Sequence, residues 1–241
     1  MYIKLLHFVI SFFDYPNKKK IINFFRDKFK NKISVLIDVG GHNGETIKLF
    51  NRNFIVKSII SFEASLKNYN QLLKKNKSVK NLKAFNLAIG EDEKIVNFSD
   101  HWETQSSTLS ELNFKSKYYQ KKVFFLNPFN IKNKKINVTK VNMYRLENIL
   151  KELKIGDVDI LKIDTEGYDF NVIKGLGESI KIVKYIYFEH HFHDMLVKKY
   201  NLSDINHYLY NNNFVKVFKS KMRFRKTFEY IYFNKSYQFY K

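Results

Sequence analysis

Two hydrophobic periods alternate along most of this chain. Continuous apolar runs of five to eight residues, the pattern of strands buried on both faces, are followed by stretches in which apolar residues recur every three or four positions, as on one face of a helix. SVLIDVG (34–40) predicts a first strand, ETIKLFNRN (45–53) a helix, KSIISFEAS (57–65) a second strand, LKNYNQLLKKN (66–76) a second helix and NLKAFNLAIG (81–90) a third strand. The alternation lapses over about 91–142, where polar and aromatic residues mix with strand-like fragments, and this stretch predicts a hairpin or cap inserted into the domain. It resumes with DVDILKIDTEG (157–167) as a strand, FNVIKGLGESI (170–180) as a helix and VKYIYFEHHF (183–192) as a strand. The segment 214–234 alternates apolar and polar residues about a basic turn at Lys219 to Arg223, the pattern of an antiparallel hairpin. Strands separated by helices imply parallel pairing with right-handed crossovers, so the expected class is α/β, with a doubly wound and mostly parallel sheet.

The first thirty residues stand apart from this pattern. Ile3, Leu6, Val9, Ile10 and Phe13 recur at helical spacing ahead of Lys18, Lys19 and Lys20. The apolar run is too short to span a bilayer, and its charges follow it rather than precede it, unlike a secretory signal. The expectation is an N-terminal helical arm over 1–32 docked on a domain spanning 33–241, with an anionic membrane surface as an alternative partner through the three lysines. A cytoplasmic location, peripheral to the membrane in that alternative, fits this reading.

Composition narrows the chemistry mainly by exclusion. With no cysteine among 241 residues there can be no disulfide, no thiolate-bound zinc, no iron–sulfur cluster and no thiol nucleophile. The formal net charge of +20 would attract polyanions, yet the same bias towards Lys, Asn, Ile, Phe and Tyr would mark every protein of an AT-rich genome. Charge alone therefore names no partner.

The strand-to-helix turn at Asp38-Val39-Gly40-Gly41-His42-Asn43-Gly44 is the first candidate site. Gly40 and Gly41 allow a ligand to approach the backbone, while Asp38 offers a carboxylate at the strand end. A dinucleotide fold would require G-x-G-x-x-G, and His42 stands where its second glycine belongs. Pyrophosphate is therefore disfavoured, and a cofactor with a positive centre beside an adenosine is favoured. Glu63 ends the second strand about 20 residues further on, where an acid accepts ribose hydroxyls in this architecture.

In order, IDVGGHNG, SFEAS, FNLAIGEDEKIVNF, QSSTL, ILKIDTEGYDFNVIKGL and YIYFEHH resemble the FkbM-type S-adenosylmethionine-dependent methyltransferases, a branch of the class I Rossmann-like methyltransferases. LKIDTEGYDFNVIKG is similar to the family pattern K-I-D-x-E-G-x-E-x-x-V-L-x-G, with Asp169 in place of Glu and Ile173 in place of Leu. Gly41 and His42 stand where Ala and Asn are common. The resemblance runs from about Val35 to His191 and implies a seven-stranded sheet. It also implies S-adenosylmethionine as cofactor, held by Asp38 with Gly40, Gly41, His42, Asn43 and Gly44 at its methionine end. Glu63 would take the ribose, and Asn86, Leu87 and Ala88 would flank the adenine.

Methyl transfer to a hydroxyl requires alignment and removal of a proton. Two strand ends carry candidate bases: Asp164 and Glu166 beside Lys162, and Glu189, His190, His191 and His193. Strand alternation puts Lys162 and Asp164 on one side, so an ion pair is the competing reading there, and a surface cluster is the competing reading for the histidines. Asp164, Glu166, His190 and His191 are the catalytic candidates. Asp164, Glu189 and a histidine would suit Mg²⁺ or another divalent ion, but no spacing is diagnostic and no metal is predicted. His101, Trp102, Gln105, Ser106, Ser107 and Thr108 add groups suited to a hydroxylated substrate. The expected activity is O-methylation of a saccharide, glycolipid or related small metabolite, the acceptor class resting on the resemblance. An RNA-directed methyltransferase ranks lower, since DTEG stands where amino-group methyltransferases carry an N/D-P-P-Y/F tetrapeptide. A non-catalytic binding protein of the same fold is the remaining alternative.

Overall fold

A computed structural model describes the backbone of residues 2–101, 107–126, 136–223 and 225–239, with side chains within 13–237 of that range. The elements run α1 (Tyr2–Phe29), β1 (Lys32–Val39), α2 (Glu45–Asn53), β2 (Ile55–Phe62), α3 (Leu66–Lys75), β3 (Leu82–Phe85), β4 (Ala88–Gly90) and β5 (Lys94–Asp100). There follow β6 (Glu111–Leu112), α4 (Lys117–Leu126), β7 (Asn137–Arg145), α5 (Leu146–Glu152), β8 (Val158–Ile163) and α6 (Asp169–Lys174). A short 3₁₀ turn leads into β9 (Val183–His191), β10 (Leu196–Val197), α7 (Leu202–Asn211), β11 (Phe214–Lys221) and β12 (Thr227–Asn234).

Seven strands form one sheet in the order β11-β12-β9-β8-β1-β2-β3. β3, β2, β1, β8 and β9 are parallel, and β12 and β11 close the sheet as an antiparallel hairpin. The predicted class is therefore borne out. Apolar runs such as Ile160, Leu161 and Ile163 are buried on both faces because helices cover both. Ile21, Ile22 and Phe25 of α1 pack with Ile47 and Phe50 of α2 and Leu72 of α3 on one face, against Leu36, Ile59, Ile160 and Tyr187. Leu146 and Leu150 of α5, Val172 of α6 and Leu209 of α7 cover the other, against Ile37, Leu161, Ile186 and Phe188. The strand order reverses between β1 and β8, and that is where a doubly wound sheet opens a crevice at its carboxyl edge.

Several elements depart from the sequence reading, which contains neither α4 nor α5. The predicted third strand divides at Asn86, whose amide donates to the carbonyls of Glu63 (2.8 Å) and Ala64 (3.0 Å). This bend sends β3 into the main sheet and β4 into a separate sheet of order β4-β7-β5, in which β5 and β7 pair antiparallel. α7 escapes the apolar-period reading, although its start is marked by a capping box between Asn201 and Asp204. The N-terminal helix extends to Phe29 and packs on the sheet through Ile21, Ile22 and Phe25, while the side chains of the predicted positions Ile3, Leu6, Val9 and Ile10 lie outside the described residues. Among the described residues no helix is long and apolar enough to cross a membrane.

Candidate active site

At the carboxyl edge, above the reversal point, lies a cleft of about 520 Å³. That volume lies within the ordinary range for small-molecule sites. Its walls come from the β1 turn, the end of β2, the start of β4 and the loop after β8, closed over by α1 and the C-terminal hairpin.

The turn at 40–44 is tightly organised. Gly40 has φ +84°, and a Cβ there would lie 2.0 Å from the backbone oxygen of Asp164. A Cβ on Gly41 would lie 2.2 Å from Ser61 Oγ, so both glycines let β1 end against its neighbours. Every amide in the turn already has an acceptor. Gly40 and Gly41 donate to Phe62 O (2.9 and 3.0 Å) and His42 to Glu63 Oε2 (2.7 Å). Asn43 donates to Glu45 Oε2 (3.1 Å) and Gly44 to Gly41 O (2.7 Å). No inward nest of N–H groups is left for a phosphate, which agrees with the missing dinucleotide glycine.

Glu63 lines the cleft, although 6% exposed, and Ser65 N–H donates to its second oxygen at 2.8 Å. Burial raises its pKa, and the two backbone donors pull against that rise. Gly40, Gly41, His42, Asn43 and Ala88 also line the cleft, whereas the Asn86 side chain is spent bracing the bend. Asp38 is fully buried, does not face the cleft, and has one oxygen without a hydrogen-bond partner among the described residues; Ser61 Oγ donates to the other at 3.4 Å. Burial pushes its pKa up to about 7 despite the nearby Lys162. Because this folded value lies above the unfolded 3.8, the native state holds the proton more tightly and loses stability as pH rises from about 4 to 7. The stability of the Asp38→Asn variant relative to wild type should therefore climb across that window, by up to about 4 kcal/mol, and level off above it. Thermal melts of the two proteins from pH 4 to 8 check this.

The opposite side of the cleft is acidic. Asp164, Glu166 and Glu189 line it, with Lys162 buried beneath them. Lys162 Nζ stands 3.5 Å from Asp164 Oδ2 and 3.6 Å from Glu189 Oε1, and lies 4.7 Å from the centroid of the Tyr187 ring. Burial disfavours its charge, but Asp164, Glu189 and Glu229 outweigh that and raise its pKa. The ion-pair reading thus holds geometrically. The rest of the KIDTEGYD stretch is scaffold. Asp169 accepts from Thr165 N (3.0 Å) and Oγ1 (2.9 Å), while Glu166 (φ +48°) and Gly167 (φ +88°) turn the loop back over the strand end. Thr108 Oγ1 donates to Glu166 O (2.7 Å) and Ser107 Oγ to Asp100 Oδ1 (3.1 Å), so these hydroxyls tie the inserted segment to the site. Trp102, Gln105 and Ser106 lie outside the described residues.

The histidines are buried, not a surface cluster. Alternation along β9 turns Glu189 towards the cleft and His190 to the opposite face, where its ring packs on Phe192 and Tyr200. His190 does not line the cleft. His193 stacks on Tyr118 at 4.2 Å, and burial lowers the pKa of both His190 and His193 to about 4. His191 faces the same way as Glu189 and lies behind Glu166, its Nε2 3.7 Å from Glu166 Oε2.

Among the cleft residues that escape the sequence reading are Asp14 and Lys18 of α1, and Met222 and Arg225 of the hairpin turn. Arg225 donates to Asp14 Oδ2 at 3.1 Å, so the two ends of the chain meet over the site. The i, i+4 spacing of Asp14 and Lys18 on a helix was the one signal available.

Together the sheet order, the strand-end acid and the glycine turn define a Rossmann-like α/β methyltransferase. The chain belongs to the FkbM methyltransferase family: the model of the methyltransferase FkbM domain matches residues 38–216. Among solved structures, methyltransferase FkbM from Methylobacillus flagellatus KT aligns with a TM-score of 0.54 at 13% identity, over 84% of this chain and 44% of that one. This chain therefore spans less than half of that protein. Magnesium protoporphyrin IX methyltransferase from Synechocystis PCC 6803 aligns at 0.52 and 9% identity, over 93% and 81%. An rRNA methylase from Streptococcus thermophilus aligns at 0.49 and 8% identity, over 89% and 94%. A search of curated proteins found no match.

Proposed function

We propose that this chain is an S-adenosylmethionine-dependent O-methyltransferase acting on a hydroxyl of a saccharide, glycolipid or related small metabolite. The observation that carries this reading is the accounting at the cleft: the turn amides are all taken, and the carboxylates of Glu63, Asp164, Glu166 and Glu189 line it, together with Lys18, Lys75 and Arg225. With no amide nest at the turn and the Glu63 carboxylate at the end of β2, the cofactor end suits a ligand with a positive centre rather than a phosphate. The residues present fit the donor. Glu63 retains lone pairs for ribose hydroxyls after accepting its two backbone N–H groups. Leu87, Ala88 and Ile89 offer an apolar wall beside it for adenine, and Gly40 and Gly41 leave room against the backbone.

When bound, S-adenosylmethionine supplies an electrophilic methyl group on a sulfonium. The chain's part is to hold the acceptor hydroxyl in line and to receive its proton, for which the Asp164 and Glu166 carboxylates stand at the cleft surface. α1 and the hairpin turn, joined by the Asp14–Arg225 pair, roof the acceptor side and restrict water. The acceptor class is supported by membership of the family.

A mass-shift screen tests this. Purified protein and S-adenosylmethionine are incubated with glycan, lipid and RNA fractions of the source cell. The expected result is a methyl gain in a glycan, lipid or small-metabolite fraction. Methylation confined to RNA, or to an amine, would overturn the acceptor class.

A further inference from the structure

The acidic side of the cleft contains a second arrangement, distinct from the cofactor end. Asp164, Glu166 and His191 each bring one ligand atom within 4.8 Å of the other two. They come from the neighbouring ends of β8 and β9, and the left-handed backbone at Glu166 turns the loop after β8 back towards His191. His191 is 5% exposed. Its Nδ1 lies 3.1 Å from Thr227 Oγ1, which fixes the ring. Its other nitrogen, Nε2, is buried, has no hydrogen-bond partner among the described residues, and points at the carboxylates with Glu166 Oε2 3.7 Å away. That separation is too long for a hydrogen bond. A buried imidazole nitrogen left unbonded against two carboxylates is costly unless a cation stands between them.

We propose that Asp164, Glu166 and His191 form a binding site for a divalent cation. One imidazole and two carboxylates make a mixed donor set that suits Mn²⁺, between the oxygen-only preference of Mg²⁺ and the nitrogen preference of later transition metals. Thr227 is the outer partner that orients the histidine, a recurrent feature of imidazole-bound metals. Lys162 stands 3.5 Å from Asp164 Oδ2 and shares its charge with Glu189, while Arg225 faces the same carboxylates across the cleft and Lys198 and Lys122 lie near His191, so the ion would enter a site of mixed charge. Three protein ligands leave coordination positions open, and Asp164 and Glu166 face the cleft. Those positions would take oxygen atoms of the acceptor, favouring one with adjacent hydroxyls; the ion would lower the pKa of a bound hydroxyl, and the carboxylate oxygen of Asp164 or Glu166 not bound to it would receive the proton. This last role rests on the O-methyltransferase reading; the cation site does not.

The test is a Mn²⁺ titration of the full chain by electron paramagnetic resonance after chelator treatment, with pulsed detection of nitrogen coupling. Wild type should show one saturable site with a histidine nitrogen coupled to the ion. His191→Gln should abolish the coupling, and Glu166→Gln should weaken binding by about tenfold or more. Glu166 is partly exposed, so its variant keeps the test decisive if His191→Gln fails to fold. Absence of a saturable site, or equal affinity and unchanged coupling in a folded variant, would overturn the proposal. Calorimetry with S-adenosylmethionine on the chelated protein separates the two readings. Cofactor binding without a Mn²⁺ site removes the cation proposal alone, and a Mn²⁺ site without cofactor binding removes the methyltransferase assignment alone.

Discussion

Gly40→Ala should unfold the cofactor end of the site, whereas Gly156→Ala should leave the protein unchanged. At Gly40 two penalties combine. A φ of +84° is unfavourable for any residue with a Cβ, by about 1 kcal/mol or more. The new methyl group would also lie 2.0 Å from the carbonyl oxygen of Asp164. That oxygen belongs to the backbone and cannot swing aside. Relief would require β1 and β8 to separate where Asp164 N donates to Val39 O at 2.9 Å. The expected cost is about 3 kcal/mol or more, read as a lowered denaturation midpoint, together with loss of cofactor binding. A Cβ at Gly156 would meet nothing within 4 Å. Equal midpoints for the two variants would show that β1 and β8 do not meet as described.

Lys162→Met should destabilise the fold by about 3–5 kcal/mol, since it removes one partner of a buried charge network rather than the whole network. Lys162 lies beneath Asp164, Glu189 and Glu229. Glu229 is held from the other side by Tyr187 and by Asn17 of α1, so the network joins the N-terminal helix to the sheet. Without the cation these carboxylates must stay charged in a buried site or take up protons. Glu189 is the group best placed to do so, because burial and the nearby Asp164 already hold its pKa well above the usual carboxylate range. Lys94→Met is the control. Lys94 pairs with Asp92 at 2.7 Å, but both side chains are more than half exposed, and solvent and salt screen pairs of that kind until they contribute little to stability. Urea denaturation of the two variants should differ by a wide margin, and similar losses would contradict the structural role of Lys162.

How much of this could be read in the sequence depended on whether the signal was local. β1, β2, β8 and β9 are buried on both faces and leave unbroken apolar runs, and the closing hairpin shows its period of two. The strand-end position of Glu63 and the left-handed Gly40 follow from the same local grammar. The division at Asn86 was not legible, because two hydrogen bonds to the end of β2 decide it and the apolar pattern continues through it. Nor was the burial of the histidines. Polar residues were expected at the surface, but Tyr118, Phe192 and Tyr200 come from distant segments to enclose them. Asp14 and Arg225 lie more than two hundred residues apart, and only the folded chain brings them together over the cleft.

The central claim is that the glycine turn and Glu63 hold S-adenosylmethionine, and isothermal calorimetry on the wild-type chain and on Glu63→Ala tests it most directly. Wild type should bind one equivalent. Glu63→Ala should bind at least about tenfold more weakly, because hydrogen bonds to a charged acceptor contribute roughly 1.5–3 kcal/mol. It also frees the His42 and Ser65 amides that Glu63 now accepts. Absence of binding by folded wild-type protein, or equal affinity in the variant, would contradict the account.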